Sequence, residues 1–376
     1  MNSELTNNSF CSTIGTQTKD KGALTVKQPI YTEAWGKCHI QGIAVDTKKG
    51  FAYYSFTTKL VKATLDGEII GTVDGLLGHL GCIDFCEEDG RVYGSLEYKN
   101  DGIGKGILSA LGVSTQLEDA FYIAIFDVDK LDRVGMDAEK DGIMTAVYLK
   151  EVVEDYKGTG KNRNGEEVPH RLGCSGIDGT GFGPIPGDPD GPQYLFVAYG
   201  VYGDLTREDN DHQVLLCFDT ANWKQYEQPL SQHSMHKNGP SAPDRKFFVY
   251  TGNTTWGVQN LEYDAYQKAF LLAVYPGQKD AYPNYNLFAV DATVPPKKAP
   301  LKGLATEGEM LTLKPIGEHH EASNTWGWHF PYGSTGLYAF GNGEYLISEN
   351  RTCQSGQCAY LFQYVWNGKE PFILKD

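Results

Sequence analysis

The chain has 376 residues, and its 48 Asp and Glu against 33 Lys and Arg give a formal net charge of −15. With 44 Gly, 17 Pro and 12% aromatic residues it has the composition of a globular chain rich in turns. Its acidic field repels phosphate backbones, which argues against a nucleic-acid partner, and no run of about 18 apolar residues offers a membrane-crossing helix.

The first thirty residues are polar and lack the apolar segment of a secretory signal; they read as a flexible arm, 1–30, ahead of a single domain over 31–376. The placement this implies is cytoplasmic, or secreted if a signal was removed before this numbering. Eight cysteines are scattered, several inside apolar runs where buried free thiols lie, which fits a reducing compartment. Only Cys353 and Cys358, in TCQSGQC, are spaced for a local disulfide or a metal clip.

Helical periodicity is scarce, the longest candidates being ALGVSTQLEDAF at 110–121 and DAEKDGIMTAVYLKEVV at 137–153. The rest reads as short strands in one recurring phrase: an apolar strand ending in an acid, a turn, an aromatic-rich strand, a polar loop and a third strand. The clearest copy spans 41–73. Others begin at 81, 174, 258 and 330 and resume at 121, 212, 285 and 359. TKKG, EEDG, YDAYQK and GNGE supply hairpin turns between first and second strands, and LDGE and WNGK between the last two. Five four-stranded antiparallel sheets in series, none able to bury both faces alone, predict an all-β chain folded as one five-bladed β-propeller. The surplus length falls in loops at 102–120, 153–172, 206–212, 228–245 and 295–325.

The repeated phrase GIAVD…AYYS…LVKATLDGE resembles the β-propeller superfamily, which includes calcium-dependent lactonases, glycan-active lyases and hydrolases, and interaction scaffolds. The resemblance covers most of the chain and names no single family; neither a WD dipeptide set nor a kelch double glycine recurs per blade.

In such a ring the innermost strand of each blade lines a central channel, and the residues leading into it open on one face. Aligning these gives His39, His79, His170, Trp256 and, in the fifth copy, Trp326-Gly-Trp-His329. Four imidazoles at equivalent positions suggest a divalent metal site, with Mn, Fe, Zn or Ca as candidates and His39, His79, His170, His329 and Glu262 as ligands. The alternative is that these rings bond water and carbonyls in a polar tunnel. Second-strand ends reach the same face, where Glu97, Tyr199, Glu349 and Arg351 are candidates for acid/base work and Lys99, Tyr202, Trp256 and Trp326 for holding substrate. These residues suggest a metal-dependent hydrolase or lyase acting on a polar, carbohydrate-like or anionic small substrate. Two rival readings stay open: a non-catalytic scaffold or ligand-binding propeller, and a lactonase-like calcium enzyme centred on Asn260 and Glu262. GIGKG at 102–106 lacks the GK[ST] ending of a phosphate loop and reads as a solvated turn.

Overall fold

Strands such as IQGIAVD and AFYIAIF are rich in β-branched and aromatic residues and are buried along their whole length, as strands covered on both faces must be. The computed structural model describes residues 29–375; residues 1–28, most of the stretch read as an arm, lie outside the described residues. Blade 1 runs outward through Ile40–Asp46, Phe51–Phe56, Lys59–Thr64 and Ile69–Asp74. Blade 2 uses His79–Cys86, Arg91–Tyr98, Ala120–Phe126 and Met144–Tyr148, and blade 3 Cys174–Pro184, Gln193–Val201, His212–Phe218 and Arg245–Tyr250. Blade 4 has Thr254–Asp264, Ala269–Pro276 and Leu287–Asp291, and blade 5 Leu337–Ala339, Glu344–Cys353 and Gly356–Trp366.

Neighbouring inner strands pack in chain order and the fifth returns to the first, so the chain is a five-bladed β-propeller. Its ring is closed by two short strands on the outer edge of blade 5. Ile30–Ala34 pairs with one half of Gly356–Trp366 and Phe372–Leu374 with the other, both antiparallel. The first described strand is thereby hydrogen-bonded to the last blade, which ties the two ends of the described chain together and leaves only short strands on that blade's outer edge. Blade 3 is widened by Glu307–Leu311, parallel to Arg245–Tyr250, and by Lys297–Pro300 outside it, which absorbs part of the long loop after residue 295.

Two helices depart from the sequence reading. Helix α1 is Gly102–Ala110, about two turns earlier than the expected segment and sharing only Ala110 with it, and covers the glycine-rich GIGKG read as a turn. Asp101 makes it possible: its carboxylate accepts from the N–H groups of Ile103 at 3.0 Å and Gly104 at 2.9 Å. That cap also fills the helix N-terminus with a negative charge, so no phosphate cradle forms there. The segment 137–153 divides into the fourth strand of blade 2 and the start of helix α2, Lys150–Lys157. Among the described residues no helix is long and apolar enough to cross a membrane.

Candidate functional site

At the face where the inner strands begin, blades 1 to 4 surround a cavity of about 350 Å³. His39, Gln41 and Thr57 come from blade 1, His79, Glu97 and Lys99 from blade 2, Ser175 and Asp178 from blade 3, and Trp256, Gln259 and Tyr275 from blade 4; Ile103 and Ile107 of α1 form one wall. Such a lining, apolar on one side with a few convergent polar groups, is that of a small-molecule site.

Glu97 sits at its centre, 4% exposed. One oxygen lies 2.6 Å from Lys99 Nζ and 3.4 Å from His79 Nδ1, the latter an ion-pair separation without a directed hydrogen bond, and the other accepts from the Ile177 N–H at 3.0 Å. Burial works against its ionisation, but Lys99 and His79 outweigh it and hold the carboxyl below its usual range. The same couplings raise its partners. Burial opposes the protonated imidazole of His79, yet the contact with Glu97 and the charge of Asp178 prevail, and Lys99 is raised by Glu97 and Asp101 against the same burial. Lys99 also donates to the Ser175 carbonyl at 2.8 Å, which locks it across two blades.

Asp178 lies in the middle of the blade 3 inner strand, and burial pushes its carboxyl up to about 7, with Glu97 adding to the rise and His79 and Lys99 opposing it. Its Oδ1 accepts only weakly, from the Cys82 N–H at 3.2 Å. Glycines let these groups approach: a side chain at Gly81 would strike the Asp178 carboxylate and one at Gly176 the Glu97 carboxylate. Burial lowers His39, whose Nδ1 meets the Ile40 carbonyl at 2.7 Å, so its ring is neutral near pH 7. Gln41 donates to Thr57 at 3.1 Å and Gln259 to the Trp256 carbonyl at 3.0 Å.

Of the residues singled out in the sequence, Glu97, Lys99, Trp256, His39 and His79 share this cavity. The other expected ligands do not. His170 precedes the blade 3 inner strand by a left-handed turn (φ 66°) that sends its ring between Tyr156 and Tyr202, with Nδ1 on the Tyr156 carbonyl at 2.7 Å. His329 is exposed against Tyr285, because Trp328 bridges Leu287 on the outer edge of blade 4 and the segment does not lead into blade 5. Trp326 is stacked on His319 in the same outer segment. Glu262 lies at the other end of the channel, accepting from the Ala339 N–H at 2.8 Å. Among the described residues no group of three or more His, Cys, Asp or Glu is arranged to hold a metal ion.

Tyr199 is fully buried and donates to Asp155 at 2.8 Å within a network that also takes in Lys246, away from the cavity. Tyr202 stands behind the cavity wall, donating to Asp101 at 2.9 Å and meeting Trp256 edge-on. Glu349 and Arg351 pair with each other at 3.1 Å on a hairpin that overshoots the blade 5 inner strand, whose last partner on it is Ile347, so nothing carries them over the cavity. Sequence reasoning missed Asp178. Its signal was present: an acid in mid-strand within CSGIDGTGFGP, where no turn needs one.

No family model and no curated protein matches this chain. Among solved structures it is similar to a GH43 β-1,3-galactosidase with galactodeoxynojirimycin, at TM-score 0.40 and 11% identity, over 92% of this chain and 98% of that one. It is also similar to a GH43 endo-arabinanase from Bacillus licheniformis, at TM-score 0.39 and 11% identity, over 90% and 98% of the respective chains. A Trichoderma reesei carbohydrate-active enzyme of family AA12 gives TM-score 0.36 and 12% identity over 85% and 80%.

Proposed function

We propose that this propeller is a hydrolase that cleaves a small, hydroxyl-rich, carbohydrate-like substrate in the cavity at the channel mouth. The observation that carries the reading is the pair of carboxyls in one cavity whose environments drive them apart, Glu97 downward and Asp178 up to about 7. One ionised and one protonated carboxyl near neutrality is the division of labour that glycoside hydrolysis needs.

In this mechanism Asp178 gives its proton to the leaving-group oxygen as the C–O bond at the anomeric carbon breaks, while the Glu97 carboxylate stabilises the positive charge that develops there. Water adds to that carbon and its proton returns to Asp178, so two hydroxyl products leave an unchanged enzyme. Lys99 and His79 are positioning residues that keep Glu97 charged. Gln41, Thr57, Gln259 and Ser175 supply donors and acceptors for sugar hydroxyls, and the half-exposed Trp256 a flat face for the ring.

The test is a panel of aryl glycosides assayed with and without chelator, followed by Asp178→Asn and Glu97→Gln on any substrate turned over. Glu97→Gln is expected to abolish turnover of every substrate. Asp178→Asn should lose about 10²–10⁴-fold on poor leaving groups and far less on good ones, which need no proton. Wild-type kcat/KM should fall as pH rises through about 7, where Asp178 loses its proton, and hold into the acid range, where Glu97 stays ionised. Turnover unaffected by either substitution defeats the assignment; a loss on chelation restores the metal-dependent alternative.

A further inference from the structure

The hairpin that joins the last two long strands of blade 5 carries Cys353 and Cys358, both free thiols. Cys353 stands opposite Gly356 and Cys358 opposite Arg351, so the register places the two cysteines on one face as diagonal neighbours. Tyr31 of the ring-closing strand stands opposite Tyr360, two residues beyond Cys358. The pair is asymmetric: Cys353 is partly exposed at the hairpin tip, whereas Cys358 is 2% exposed. Cys353 Sγ also lies 3.6 Å from Ser355 Oγ and 3.2 Å from the Gly356 carbonyl.

We propose that Cys353 and Cys358 form a reversible dithiol–disulfide site, with Cys353 as the attacking thiol, Cys358 as the resolving thiol and a low-molecular-weight disulfide as oxidant. The Cys353 thiolate attacks one sulfur of the small disulfide, forming a mixed disulfide and releasing one small thiol. Cys358 then gives up its proton and attacks Cys353 Sγ, closing the protein disulfide and expelling the second small thiol. Two cysteine thiols are oxidised and one small disulfide is reduced.

Electrostatics favours this direction of attack. The hydrogen bonds from Ser355 and then Cys358 bring the Cys353 thiol down to about 7, while burial and the neighbouring Cys353 raise Cys358. The other described cysteines with a resolved shift, Cys82, Cys86, Cys174 and Cys217, are raised by burial and are unreactive by the same criterion. The site also has a structural reach. Cys358 pairs with Ala34, the Trp35 N–H donates to the Gln357 carbonyl and the Gln357 N–H to that of Gly36, and the chain continues into Lys37, Cys38 and His39 of the cavity wall.

The native chain is treated with oxidised glutathione, alkylated, and mapped by mass. The peptide spanning both cysteines should lose two hydrogens and become unalkylated, and dithiothreitol should reverse this. Cys358→Ser should stop at a stable glutathione adduct on Cys353, and Cys353→Ser should take up none at Cys358. Full alkylation of both thiols after treatment overturns the proposal, as does a wild-type adduct on Cys353 that persists with Cys358 still alkylated.

Discussion

The two mouths of the channel are built from the same inner strands and differ in one buried carboxylate: Glu97 is held ionised, whereas Asp178 beside it and the acids of the far mouth are raised by burial. At the mouth holding Glu97 and Asp178, a lysine and a histidine share the burial, and Glu97 stays ionised. At the other, Asp84 and Glu262 face a larger cavity of about 850 Å³ with Phe85, Phe182 and Tyr338. Asp84 accepts from the Phe85 and Phe182 N–H groups, each at 2.7 Å, and Glu262 from Ala339, but among the described residues no cation pairs with either. Burial therefore pushes Asp84 up to about 7, and burial together with the Asp84 charge raises Glu262 well above its usual range. The difference teaches that depth alone does not set charge state in this channel. A cation in direct contact, as Lys99 is with Glu97 and as no described cation is with Asp178, decides whether a buried acid is a carboxylate or a carboxylic acid.

The strongest way to break that contrast is to remove the cation. Lys99→Met should leave Glu97 buried and uncompensated, costing about 3–5 kcal/mol of stability by analogy with other broken buried pairs and abolishing turnover. Adding Glu97→Gln in the same chain should restore most of the stability and none of the activity. Urea denaturation of the wild type, both singles and the double completes the cycle. Additive losses, with no recovery in the double, would mean that the ion pair is not what holds the charge.

A second test sharpens the contrast from the far mouth. Asp84 and Glu262 bind protons more tightly folded than unfolded, so their contribution to stability is full below the ordinary carboxylate range and is lost as pH rises through the raised folded values. Thermal melts should show wild-type stability falling from mildly acid to alkaline pH. Glu262→Gln, which keeps the hydrogen bond and removes the titration, should flatten that fall by a few degrees of Tm; an unchanged slope would place the proton elsewhere.

The ring itself was readable because each blade repeats a hairpin with turn residues at fixed places: TKKG and EEDG do sit between the first and second strands of blades 1 and 2. The near mouth was readable in part, since His79, Glu97 and Lys99 stand at strand ends whose period-2 alternation points them inward. Three expectations failed where register, which the repeat does not encode, decides the outcome. His170 is turned away by a left-handed residue, TWGWHF attaches to blade 4 instead of opening blade 5, and Glu349 lies on a hairpin longer than the strand beside it. Asp178 escaped because its importance comes from which blade faces it, a contact between residues about a hundred positions apart that no local pattern announces. Helix α1 escaped because three glycines in nine residues argue against a helix that its Asp101 cap and its packing over the cavity sustain.

The smallest effect expected concerns Trp256, which separates a residue kept for the cavity from one kept for the fold. It sits at φ 65°, a left-handed conformation that costs a bulky side chain about 1–2 kcal/mol, with its indole 37% exposed at the cavity rim. Glycine adopts that conformation freely, so in Trp256→Gly the relief of strain should roughly offset the lost edge-on contact with Tyr202, leaving Tm nearly unchanged. Trp256→Ala keeps the strain and loses the contact, and should melt lower than the glycine variant. If the indole stacks on substrate, both should raise KM by about tenfold, near 1.4 kcal/mol, with kcat little altered. An unchanged KM alongside a lower Tm in the glycine variant would make Trp256 a packing residue, and the strained backbone at the rim would then lack a function.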